Sequence, residues 1–132
     1  MGYHLKTPNL YKYLVLLVIL IISQSIVAQG NRQVLDSIIE LRKLADNDNT
    51  PVSDKINLAK RAYELSLKLK VDSTILMSGR TLSYKYALGN DFENYRFYNH
   101  KNLKLATKLQ DTTALAVANQ HLAYYYYTKS EH

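Results

Sequence analysis

The sequence predicts an all-α protein, built of antiparallel helical hairpins that stack on one another behind an apolar leader. Three observations carry this. Apolar residues recur at steps of three and four throughout the body of the chain, which is the period of one helix face. No stretch alternates strictly at period two, so strands are not expected. Two stretches forty residues apart match one another, "KLKVDSTILMSGRTLSYKY" (68–86) and "KLQDTTALAVANQHLAYYY" (108–126).

The leader is residues 1–28. Lys6 and Lys12 precede an unbroken apolar run from Tyr13 to Ile22, followed by Ser23-Gln24-Ser25 and Ile26-Val27-Ala28. That order is the charged, apolar and small-residue succession of a secretory signal. A ten-residue run rises about 15 Å as a helix, roughly half the hydrocarbon thickness of a bilayer. The expectation is export to the periplasm or cell envelope, with cleavage after Ala28. Bulky Ile26 before the cut keeps an uncleaved anchor as the alternative.

About five helices are expected after the leader. Residues 29–52 form an N-terminal helix and loop: Val34, Leu35, Ile38, Leu41 and Ala45 share one face over roughly 31–45. The segment "ADNDNTPVSD" (45–54) then breaks it, with Pro51 disfavouring helix just before it. Ser53 is expected to cap the second helix, on which Ile56, Ala59, Ala62, Tyr63, Ser66 and Leu69 continue the spacing. Asp72-Ser73 starts a third helix that runs to about Leu88. Gly89-Asn90-Asp91 makes a turn, with the permissive φ of glycine and the side-chain turn bonds of Asn and Asp. A fourth helix spans roughly 92–109, and Asp111-Thr112 caps a fifth.

The forty-residue register pairs Leu82 with Leu122, Tyr84 with Tyr124, Tyr86 with Tyr126 and Ser83 with Ala123. Small residues at Gly79, Ser83, Ala118 and Ala123 are expected where helices approach closely, with Leu82, Tyr86, Leu122 and Tyr126 filling the space beside them. Leu-small-x-x-Tyr stands at Leu82-Ser83-x-x-Tyr86 and again at Leu122-Ala123-x-x-Tyr126. An aromatic, Phe92, follows the turn, and a Leu/Ala run, "NLKLATKLQD" (102–111), closes the hairpin. On these residues 53–132 resembles the tetratricopeptide-repeat superfamily. It departs from that pattern in lacking its Trp and closing Pro, in carrying Tyr95 where a small residue is usual, and in its longer period. The resemblance implies a solenoid that binds proteins or peptides on its concave face. The leader ending in "VAQ", "LDSII", "KLQDTTALA" and "LAYYYYTKSE" resemble more narrowly the exported sensor region of bacterial sensor histidine kinases or helix-turn-helix regulators that carry such repeats. A fragment of such a protein is therefore expected, as is a last repeat cut off at its turn. A free-standing periplasmic or secreted scaffold is the alternative.

Chemistry is scarce in the residues. Without cysteine there is no disulfide, thiolate metal site, Cys nucleophile or lipoprotein anchor. His100 and His121 lack a His or carboxylate partner at helical spacing, so no metal site is expected. Asp91 and Glu93 are read as turn and helix-start acids rather than a glycosidase pair. Gly30, Gly79 and Gly89 form no phosphate loop, and no cofactor motif is present. The expectation is a binding protein and not an enzyme. The net charge of +6 is scattered rather than clustered, and Lys6 and Lys12 of the leader supply part of it, so nucleic acid is not an expected partner.

The candidate interaction face is Arg80, Tyr84, Lys85, Tyr124 and Tyr125. The candidate packing set is Leu82, Ser83, Tyr86, Phe92, Leu122, Ala123 and Tyr126. The run Tyr124–Tyr127 turns through about 400° of helix, so its members cannot share one surface. Tyr126 is expected in the core beside a helix that the repeat pattern calls for, and self-association through the last helix follows if that helix is missing. Contact with a membrane is expected only through the leader or a missing C-terminal segment.

Overall fold

The structure is a computed structural model that describes residues 8–130. Its described elements are five α-helices: α1 (Pro8–Asp46), α2 (Val52–Leu69), α3 (Asp72–Leu88), α4 (Phe92–Leu109) and α5 (Thr112–Ser130). The chain divides into two compact units, one ending at Gln33 and the other beginning at Val34.

The first unit is the apolar part of α1. Its side chains from Leu10 to Ile22, Lys12 aside, are large, apolar and largely exposed. Within α1 an 18-residue stretch is apolar and long enough to cross a membrane. Such a helix near the N-terminus fits a signal sequence or a membrane anchor. The sequence places a separate helix at 31–45, whereas α1 runs unbroken through Ala28, Gln29 and Gly30. No proline interrupts this stretch, and one exposed glycine costs a helix only about 1 kcal/mol.

In the second unit short connections join the helices, so that sequential neighbours pack. α3 packs against α2 and α4, and α4 packs also against α5. Ala45, Ala59, Tyr63 and Leu82 bring α1, α2 and α3 into one buried apolar cluster, flanked by Ile75, Tyr86 and Tyr98. The rings continue the packing: Tyr98 stacks on Tyr86 at 5.6 Å and meets Tyr63 edge-on at 5.4 Å. Small residues permit this approach. At Gly79 an added Cβ would run into Asn102 Oδ1 and come within 3.2 Å of Tyr63 Cε2.

The helix ends show what local chemistry decides. The expected cap of α2 is corrected: Pro51 occupies the N-cap and Ser53 lies inside the helix. Proline satisfies the start through its carbonyl, which accepts from Lys55 N–H at 2.9 Å. Asp91 caps α4 by accepting from Asn94 N–H, and Asp111 does the same for Ala114 N–H at the start of α5. In the turn between α3 and α4 the left-handed residue is Asn90 (φ 60°), not Gly89 (φ −85°). Gly89 serves by being small, since a Cβ there would meet Ile56 Cδ1 at 3.0 Å. α2 and α4 begin forty residues apart, as do α3 and α5, and the left-handed C-caps Lys70 and Gln110 keep that offset.

Candidate interaction cleft

Three helices that alternate in the chain contribute to one cleft of about 510 Å³. Arg42 and Asp46 come from α1, Met77, Arg80, Thr81 and Tyr84 from α3, and His121 from α5. On α3 these side chains recur at three- and four-residue steps, so they form one stripe along the helix. A second hollow of about 390 Å³ shares Tyr84 and His121 and adds Phe92, Tyr95 and Tyr124.

The floor is tied by polar contacts. Arg42 Nε donates to Thr81 Oγ1 at 3.1 Å, which joins α1 to α3. Lys85 Nζ pairs with Asp46 Oδ1 at 2.6 Å, a second tie between the same helices. His121 Nδ1 lies 3.1 Å from Asn99 Oδ1, an atom that also accepts from Ser83 Oγ at 3.2 Å. Because a carboxamide oxygen only accepts, Nδ1 carries the proton and Nε2 keeps its lone pair. Burial, helped by the Arg80 guanidinium, pushes the His121 pKa below its usual 6.5 and holds the ring neutral at pH 7. Arg80 forms no ion pair among the described residues, so the cleft keeps a net positive character.

Of the expected interaction face, Arg80, Tyr84 and Tyr124 are exposed; the first two line the cleft, and Tyr124 lines the adjoining hollow with Tyr84. Lys85 and Tyr125 are corrected: they are 3% and 7% exposed and cannot form a free face. Lys85 falls on the buried stripe Ser78–Leu82–Lys85, and Tyr125 on the equivalent Ala118–Leu122–Tyr125. Their polar ends are met there. The Tyr125 hydroxyl donates to Glu93 Oε1 at 2.9 Å, and Arg96 lies over its ring. That hydrogen bond is the main reason the Glu93 carboxyl is held below its ordinary range and the Tyr125 phenol above its own.

Among the expected packing residues, Leu82, Ser83 and Leu122 are buried, and Tyr86 and Phe92 are half-buried. Ala123 and Tyr126 are corrected to exposed positions, Tyr126 at 54%. The cause is the neighbourhood of each helix. α3 is covered on one side by α2 and on another by α4, whereas α5 packs only against α4 among the described elements. The side of α5 that matches Gly79, Ser83 and Tyr86 therefore faces outward. Of the tail's expected turn, Ser130-Glu131-His132, Ser130 is still helical and the other two lie outside the described residues.

Sequence reasoning missed Arg42, Asp46, Asn99 and Asn102. The signal for the two asparagines was present: Tyr95, Asn99, Asn102 and Ala106 stand forty residues after Lys55, Ala59, Ala62 and Ser66, and all eight are buried. No family model matches the chain, and no curated protein and no solved structure matches it.

Proposed function

We propose that the unit beginning at Val34 is a peptide- or protein-binding module of the tetratricopeptide-like kind. It works outside the cytoplasmic membrane as the input part of a signalling protein. The observation that carries this reading is the cleft to which α1, α3 and α5 each contribute, while α2 and α4 pack behind α3. The forty-residue offset of helix limits, caps and buried stripes supports a repeat. The apolar N-terminal part of α1 supports targeting to the membrane or beyond it. An extended segment laid across Tyr84 would gain aromatic contact, and Arg42 and Arg80 favour acidic side chains in it.

The test is a selection of peptides from a random display library on the full chain in mild detergent. It is followed by titration of the winners against Arg42→Ala and Tyr84→Ala. Binding that weakens about tenfold or more in both variants, with helix content unchanged, supports the reading. Peptides whose affinity ignores both substitutions refute it. A C-terminal alkaline phosphatase fusion that stays inactive in a bacterial host would refute the extracytoplasmic location.

A further inference from the structure

Beside the cleft lies a smaller and more enclosed cavity of about 120 Å³, set between α3, α4 and α5. Leu76 and Met77 of α3 face Ala114, Val117 and Ala118 of α5 across it, which makes most of its wall apolar. Polar groups enter from Asn102 of α4, Arg80 of α3 and His121 of α5. Asn102 is 6% exposed, and its carboxamide makes no hydrogen bond among the described residues. Its amide atoms are not sealed off from solvent, so the polar group of a ligand can reach them. Arg80 likewise has no carboxylate at ion-pair distance among the described residues. The one acid in the lining, Asp111, caps α5 by accepting from Ala114 N–H. It stands ten residues before His121, about 15 Å along the helix axis, so the positive and negative ends of the cavity are separated.

We propose that this cavity binds a carboxylate on a short apolar body, with the body against Leu76, Val117 and Ala118 and the carboxylate held by Arg80 and Asn102. A cavity of about 150 Å³ accommodates benzene, so a body of about four or five carbons fits here. The charge preference follows from a guanidinium that makes no ion pair among the described residues. The same chemistry reaches the cavity as a free short-chain acid or as an acidic side chain of a bound peptide. The site does not depend on the peptide reading of the cleft, since its walls are α3, α4 and α5 side chains that need no bound peptide to assemble.

The experiment is titration calorimetry of the full chain in mild detergent with isovalerate, isovaleramide and isoamylamine. A second arm uses acetyl-Ala-Glu-Ala-amide, whose single carboxylate is a side chain. Isovalerate or the peptide is expected to bind at one saturable site, and the arm that binds identifies the source. Isovaleramide is expected to bind about tenfold more weakly than its acid, and the amine not at all. Arg80→Gln, at an exposed position, is expected to lower carboxylate affinity about tenfold while leaving isovaleramide unchanged. Ala118→Leu fills the cavity and is expected to abolish binding; if it fails to fold by circular dichroism, Val117→Phe at a half-buried position replaces it. No saturable binding in either arm overturns the proposal, as does binding unchanged in Arg80→Gln and in the folded cavity-filling variant. Isovalerate binding that survives Tyr84→Ala separates this site from the cleft.

Discussion

Gly79→Ala sets two effects of similar size against each other at the closest approach of α3 and α4. Gly79 lies in the middle of α3, where alanine favours the helix by about 1 kcal/mol over glycine. Helix propensity alone therefore makes the substitution stabilising. The surroundings reverse that sign. The new methyl would overlap Asn102 Oδ1 outright and lie 3.2 Å from Tyr63 Cε2 and 3.4 Å from Asn102 Cγ. Asn102 is the end of a side chain and can turn toward the adjoining cavity. Tyr63 has less freedom, being 8% exposed and packed edge-on against Tyr98. Overpacking of this kind costs about 1–3 kcal/mol, which exceeds the propensity gain.

The expected net loss is about 1 kcal/mol, seen as a fall of roughly 4–8 °C in the thermal midpoint followed by circular dichroism. The diagnostic measurement is the double-mutant cycle with Asn102→Ala. Removing the carboxamide gives the methyl its room and sacrifices no hydrogen bond, so Gly79→Ala becomes neutral or stabilising in that background. The coupling energy between the two positions is expected at about 1–2 kcal/mol. A Gly79→Ala chain that gains about 1 kcal/mol, or a cycle that closes at zero, refutes the close approach of α3 to α4 at this point.

Asp46→Ala leaves the Lys85 ammonium buried without its carboxylate and is expected to cost about 1–3 kcal/mol, read as a lower urea midpoint. Lys85→Met removes the charge with its need for a partner and is expected to be near neutral or stabilising; equal losses in the two variants contradict the ion-pair account. His121 has a folded pKa depressed below its unfolded value of 6.5, so the unfolded chain takes up a proton first as pH falls. Its contribution is present above that value and is lost as pH drops through the lower folded pKa. The fall in thermal midpoint from about pH 7 to 5 is therefore expected to be shallower in His121→Gln, whose amide can still donate to Asn99. An unchanged slope assigns the effect elsewhere. Among the tyrosines, Tyr126→Ser is expected to stay within about 0.5 kcal/mol of the parent, because the ring is exposed. Tyr125→Ala is expected to lower the midpoint clearly, and the reverse ranking contradicts the register of α5.

Helix limits were legible because turn chemistry is local. Asn90 and Asp91 end one helix and start the next whatever packs around them, and Asp111 does the same for α5. Side-chain direction was less legible, because it depends on which neighbour covers which flank. Lys85 and Tyr125 looked like parts of a free face by residue type. Counting back three positions to Leu82 and Leu122 places both on the buried stripe. Tyr126 shows the opposite case: it stands as far along α5 as Tyr86 does along α3, but burial at that position needs a helix on the far side, and α4 supplies it only for Tyr86. Asn99 and Asn102 escaped because asparagine on a helix reads as a solvent residue until the alignment with Ala59 and Ala62 is extended into α4.

Those two asparagines belong to a larger pattern that bears on why the helices hold one register. The interior of the second unit is not a continuous apolar seam. Ser66 and Ser78 share a hydrogen bond at 2.8 Å between α2 and α3, and Ser83, Asn99 and His121 link α3, α4 and α5. Lys85 and Asp46 link α1 to α3. The α2–α3, α3–α4 and α4–α5 junctions thus each carry a buried or half-buried polar contact, and α1 is tied to α3 by an ion pair whose Lys85 end is buried. Such contacts add little net stability, since the unfolded chain hydrogen-bonds to water instead. Their effect is on the alternatives: sliding α4 by one turn would bury the Asn99 amide oxygen opposite neither Ser83 nor His121, and that unmet acceptor would cost about 1–3 kcal/mol. Leu- and Ala-rich faces tolerate such slips, because one small apolar side chain substitutes for another. The polar pairs remove that tolerance and set Arg42, Arg80 and His121 from three different helices around one cleft, as the proposed binding role would require.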